Sequence, residues 1–139
     1  MSTEAGPTGG TTWLVDGNNV FGSRPDGWWN DRPRAAAGLA QRVAEWCRTH
    51  DDRVVLVFDP PVAPSTLILA GGNLRIEAAP RRGRDAADDR LVTLAVNLAG
   101  DDPAGGRIVV VSSDKGLVRR LPAGAQTMGV GRFRDLIGY

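Results

Sequence analysis

Three short apolar runs in this chain each stop at an aspartate or within three residues of one. Thr12-Trp13-Leu14-Val15 ends at Asp16, Val54-Val55-Leu56-Val57-Phe58 ends at Asp59, and Ile108-Val109-Val110-Val111 reaches Asp114 through two serines. Short runs rich in β-formers and cut by turn residues predict strands buried on both faces. Strands of that kind belong to a parallel sheet under helices, because neither face can stay wet.

The stretches between the runs have helical spacing. Pro33 opens one in which Leu39, Val43, Trp46 and Cys47 share a face, ending near His50. A second runs from Asp85 to about Ala99, with Leu91, Leu94, Ala95 and Leu98 on one side. Leu74–Ala78 alternates and predicts a third strand; Ala125–Met128 predicts a last one. A short helix is expected through Leu117, Val118 and Leu121, and a terminal one through Phe133, Leu136 and Ile137. Residues 20–32, with Gly22, Pro25 and Gly27, predict a loop, whereas Thr66–Ala70 fits strand or helix. Residues 1–11 have almost nothing to bury and predict a disordered tail, which leaves 12–139 as one domain. Strands alternating with helices, joined by right-handed crossovers, give an α/β fold: a three-layer α/β/α sandwich around a five-stranded, mainly parallel sheet of order 3-2-1-4-5.

At 139 residues, 42% apolar and 24% charged, the chain holds one real core. Its single cysteine, Cys47, excludes an internal disulfide framework and a cysteine-based zinc site, and is expected to be inert core. No apolar run is long enough to span a bilayer, and the opening residues lack the pattern of a secretory signal, so no membrane and a cytoplasmic location are expected. The net charge of +1 does not by itself point to nucleic acid. Sixteen of the 17 basic residues are Arg, the better phosphate fork, although an Ala-, Gly- and Arg-rich composition also follows from a GC-rich genome.

In an open α/β sheet, ligands bind beyond the carboxyl ends of the strands where strand order reverses. For order 3-2-1-4-5 that crevice lies between the first and fourth strands, flanked by Asp16 and Asp114, with Asp59 one strand away. Continuing the buried face of the 85–99 helix back from Leu91 reaches Asp88, with Asp89 to its side. Asp85 suits a helix cap. Taken singly, each aspartate fits turn or cap chemistry. Gathered in one crevice, they repel and call for a cation, and all-oxygen ligands favour Mg²⁺ or Mn²⁺.

Four segments then carry a resemblance. Leu14-Val15-Asp16-Gly17-Asn18-Asn19-Val20, Val57-Phe58-Asp59, Ala87-Asp88-Asp89 and Ser112-Ser113-Asp114-Lys115-Gly116-Leu117 resemble the NYN domains, most of all the YacP-like branch of the PIN-like nucleases. Asn18 stands where that branch often has an aromatic residue. The resemblance implies a metal-dependent endoribonuclease that leaves a 5′-phosphate and a 3′-hydroxyl. It assigns catalytic roles to Asp16, Asn19, Asp88 and Asp114, with one or two metal ions held by Asp16, Asp88 and Asp114, Asp59 as a further ligand, and Asp89 as the alternative to Asp88 for the third carboxylate. Asn19 is expected to hold Asp16 or its turn, and Ser113 to orient Asp114.

Arg81, Arg82 and Arg84 precede the Asp88 helix and are candidates for RNA phosphates, as is Lys115. Trp28 and Trp29 are candidates for stacking on unpaired bases, although one ring of such a pair commonly covers the core. His50 reads as a helix-end residue. RNA, alone or within a larger ribonucleoprotein assembly, is the expected partner. The alternative is a non-cleaving RNA-binding module of the same fold. A haloacid-dehalogenase-type phosphatase is disfavoured, because Asp16-Gly17-Asn18 lacks the second aspartate of that pattern.

Overall fold

A computed structural model describes residues 10–80, 86–101 and 106–139. Five strands form one sheet: β1 (Thr12–Asp16), β2 (Arg53–Phe58), β3 (Leu74–Ala78), β4 (Ile108–Val111) and β5 (Ala125–Met128). Their order is β3-β2-β1-β4-β5 and every pairing is parallel. The sheet is therefore wholly parallel, with the expected order.

Side-chain parity splits the core into two layers. Trp13, Val15, Leu56, Phe58, Val109 and Val111 face one way, against α1 (Gly17–Gly22), α2 (Arg32–Cys47) and α6 (Val130–Ile137). Leu14, Val55, Val57 and Val110 face the other way, under α4 (Ala86–Asp101) and α5 (Lys115–Arg119). Each fully buried Leu or Val contributes about 1.5–3 kcal/mol, so sheet and helices hold each other in place. Helix α2 starts where Asp31 accepts a hydrogen bond from Arg34 N at 3.1 Å, with a proline in its first turn. Cys47 is buried on its inner face.

Three expectations change. Residues 20–32 are not all loop: α1 runs to Gly22, and Trp28–Asn30 form one 3-10 turn. Six residues are too few for apolar periodicity, and Asp16-Gly17-Asn18-Asn19 has the composition of a turn. It is the capped start of a helix instead, with Val20 and Phe21 buried. Thr11 is not tail, since its carbonyl accepts from Arg53 N at 3.2 Å and so extends the sheet. The ambiguous Thr66–Ala70 begins inside a single helical turn, α3 (Pro64–Leu67). The rest of the expected tail (1–9), the Asp85 cap, and Arg81, Arg82 and Arg84 lie outside the described residues. Among the described residues, no helix is long and apolar enough to cross a membrane.

Gly17 has a steric reason to be glycine. A Cβ there would lie 2.5 Å from Phe58 Cε1 and 3.0 Å from the Val57 carbonyl oxygen. The ring is itself buried and packed against Phe21, and the strand backbone is fixed by the sheet. Gly17→Ala should therefore push α1 off β2 and destabilise the protein by about 1–3 kcal/mol. Urea unfolding checks this, and an unchanged midpoint would refute the close approach.

Candidate functional site

The site is built on the parity of β1. Leu14 and Asp16 point to the α4 side, one residue out of phase with Trp13 and Val15. Asp16 is 5% exposed, at the carboxyl end of the central strand. Its Oδ1 accepts from Asn19 N at 3.3 Å, which caps α1. Its Oδ2 accepts from Ser112 Oγ at 3.2 Å. Two neutral donors do not replace the lost hydration of a carboxylate. Burial, followed by the charge of Asp88, pushes its pKa from 3.8 up to about 7. Asp59 adds to the rise, and the Asn19 and Ser112 hydrogen bonds oppose it.

Asn18 and Asn19 fasten this end of the sheet on both sides. Asn18 Oδ1 accepts from Asp59 N at 2.9 Å, tying the end of β1 to the end of β2. Asn19 Oδ1 accepts from Ser113 N at 3.0 Å, tying it to the end of β4. Asp59 in turn accepts from Ala87 N at 3.0 Å and so holds the start of α4. That brings Asp88 to the site, where its charge acts on Asp16. Asp89 lies to the side and accepts from the Arg120 guanidinium at 2.8 Å.

Asp114 is exposed and caps α5: its Oδ1 accepts from Gly116 N at 2.8 Å and Leu117 N at 3.3 Å. Its link to Asp16 runs through Ser112, whose Oγ also accepts from Asp114 N at 3.1 Å. Ser113, expected to orient Asp114, turns away, and its hydroxyl accepts from Val130 N at 3.1 Å. Ser112 is the buried serine that meets Asp16, and sequence reasoning missed it. Parity would have found it: Ser112 follows Val110 on the α4 side, and the register Val15↔Val111 places the next pair side by side. Lys115 is exposed on the first turn of α5.

The charges of Asp88 and Asp59 thus act on Asp16, while Asp89 accepts from Arg120 and one oxygen of Asp114 from the start of α5. Among the described residues, no three His, Cys, Asp or Glu side chains are close enough to share a metal ion directly. The donor chemistry suits a hard cation held more loosely. Burial and the charges of Asp88 and Asp59 raise the Asp16 pKa, which a cation would relieve, and Mg²⁺ commonly takes one or two carboxylates and completes its shell with water and substrate phosphate.

Two predictions follow from these environments. Because folding raises the Asp16 pKa, the folded state binds its proton more tightly, and this stabilisation fades as pH rises from about 4 to 7. In EDTA, Asp16→Asn should gain stability over wild type by roughly 2–3 kcal/mol between pH 5 and pH 8. Urea unfolding at both pH values checks this, and a constant difference would refute it. Asp114→Ala should cost about 0.5–2 kcal/mol through loss of the cap, whereas Asp114→Asn, an equally good cap, should be nearly neutral. Thermal unfolding of the two variants reads the contrast.

No family model matches the sequence, and no curated protein matches it. Solved structures do. Two crystal structures of Rae1 (YacP) from Bacillus subtilis, one of them a tryptophan-to-leucine mutant, superpose with TM-scores of 0.69 and 0.67. Each is 23% identical to this chain; the matches cover 91% of it and 73% and 74% of theirs. The chain therefore has the PIN-like fold of Rae1 (YacP), the branch that its four motifs resemble.

Proposed function

We propose that this protein is a metal-dependent endoribonuclease acting on single-stranded RNA. The observation that carries the reading is Asp16, a buried carboxylate at the end of the central strand, where strand order reverses and where Asp88 and Asp59 add like charge. Such a site favours a cation and a phosphodiester over a neutral ligand. The motifs' resemblance to the NYN domains supplies the reaction class.

When bound, Mg²⁺ or Mn²⁺ supplies an activated water and stabilises the leaving oxygen. Asp16 and Asp88 would hold the ion, with Asp59 supporting them from the start of α4. Ser112 and the Asn19 amide fix the Asp16 carboxylate in one orientation. Asn18 and Asn19 keep the strand ends from separating as substrate binds. Asp114, at the end of the fourth strand, would face the substrate and complete the ion's shell, and the exposed Lys115 would meet a phosphate. Delivery by a larger ribonucleoprotein assembly in the cytoplasm is compatible with so small a domain.

A non-cleaving RNA-binding module is the second reading. It is favoured by the lack, among the described residues, of three carboxylates close enough to share an ion. One assay separates the two. Purified protein should cut single-stranded RNA with Mn²⁺ and stop with EDTA. Asp16→Asn and Asp88→Asn should each lower the rate on the order of 100-fold, the scale for deleting a group that stabilises transition-state charge. Asp89→Asn should have a much smaller effect, because its carboxylate serves Arg120. Binding without metal-dependent cutting would establish the second reading.

A further inference from the structure

Among the described Trp, Tyr and Phe residues, Trp29 is the one that stands largely in solvent, at 58% exposure. Burial does not explain its place, since Trp28 already covers the core. Trp28 is half-buried, packs edge-on against Phe21 at 5.8 Å, and supports Trp29 edge-on at 5.7 Å. The Arg32 guanidinium lies over the Trp28 ring at 5.4 Å. The outer ring is thus held by an anchored one, and the 3-10 turn that carries both opens at Gly27, with φ of +83°.

The turn is anchored from within: Phe21, buried under it, packs against Trp28 at 5.8 Å and against the buried Phe58 at 6.3 Å. The surroundings suit a phosphate backbone. A cleft of about 990 Å³ beside Trp28 is lined by Arg24, Arg34, Arg42 and Arg48. Its carboxylates are committed: Asp26 to Arg24, Glu45 to Arg42, and Asp31 to the cap of α2. Arg32, Arg34 and Arg48 make no ion pair among the described residues and are exposed.

We infer that Trp29 is a stacking platform for an unpaired base of the RNA strand, with Arg32 and Arg34 taking the adjoining phosphates. The inference rests on the RNA reading above and adds a substrate contact on the turn between α1 and α2. A flat exposed ring stacks on any base, so the contact selects single strands over duplexes and has little sequence preference.

The test is binding of a fluorescent 12-nucleotide single-stranded RNA in EDTA, where no cleavage occurs. Trp29→Ala should weaken binding about 5- to 100-fold, while Trp29→Phe, which keeps an aromatic face, should stay within a few-fold of wild type. Affinity for a 12-base-pair RNA duplex should be unchanged by either substitution, since paired bases are already stacked. Thermal unfolding of Trp29→Ala should match wild type, as an exposed ring has little folding role. Equal single-strand affinity in wild type and Trp29→Ala overturns the platform alone and points to a protein contact at that ring. A wild-type protein that binds no single-stranded RNA overturns the platform and the RNA reading together.

Discussion

The carboxyl end of β1 is the joint on which the rest of this structure depends. Two consecutive asparagines leave the central strand and grip its neighbours on opposite sides, Asn18 at β2 and Asn19 at β4. Strand-end amides have no further ladder to join, so a side-chain carbonyl is their natural partner. The result is one rigid platform made from three strand ends, with Asp16 at its centre. Asp59 extends the same device by capping α4 from a different strand.

That rigidity explains how a carboxylate can remain where it is least stable. Asp16 is held by neutral donors in a buried position and is pushed toward its protonated form. A site formed by long flexible side chains would relax and let the group reach water. Here the carboxylate belongs to the strand, and the strand end is pinned on both flanks. Strain of this kind, retained by the surroundings, is characteristic of places where a protein binds or reacts with something.

The same rigid end also orders the aromatic side of the molecule. Gly17 lets Phe58 lie against the start of α1, Phe21 follows, and the Trp28–Trp29 pair completes the line. Acidic groups gather on the α4 side of the sheet and aromatic groups on the α1 side, and both are set out from one strand end by the alternation of side chains along β1 and β2. Asn18, the departure from the resembled branch, is part of this joint: in place of aromatic packing it makes a hydrogen bond to the next strand.

Much of this was determined by the sequence alone. Apolar runs with no polar alternation require burial on both faces, and that requirement yields a parallel sheet under helical layers, while right-handed crossovers leave few strand orders, among them the observed one. The crevice follows from the order, and so does the presence of Asp16 at it. Helix phase separated Asp88 from Asp89 because a turn of about 3.6 residues is a strict local period. Other features were decided only by tertiary structure. Asp114 caps α5 through one carboxylate oxygen, because the free backbone amides of Gly116 and Leu117 lie within its reach. Helix α1 was hidden because its six residues are too short for a period and draw their stability from burying Val20 and Phe21 against the sheet. The role of Ser112 in place of Ser113 depends on register, which sets strands that are far apart in the chain side by side. Local periodicity can be read from one segment, but a hydrogen bond between residues 96 positions apart exists only once the sheet has brought them together.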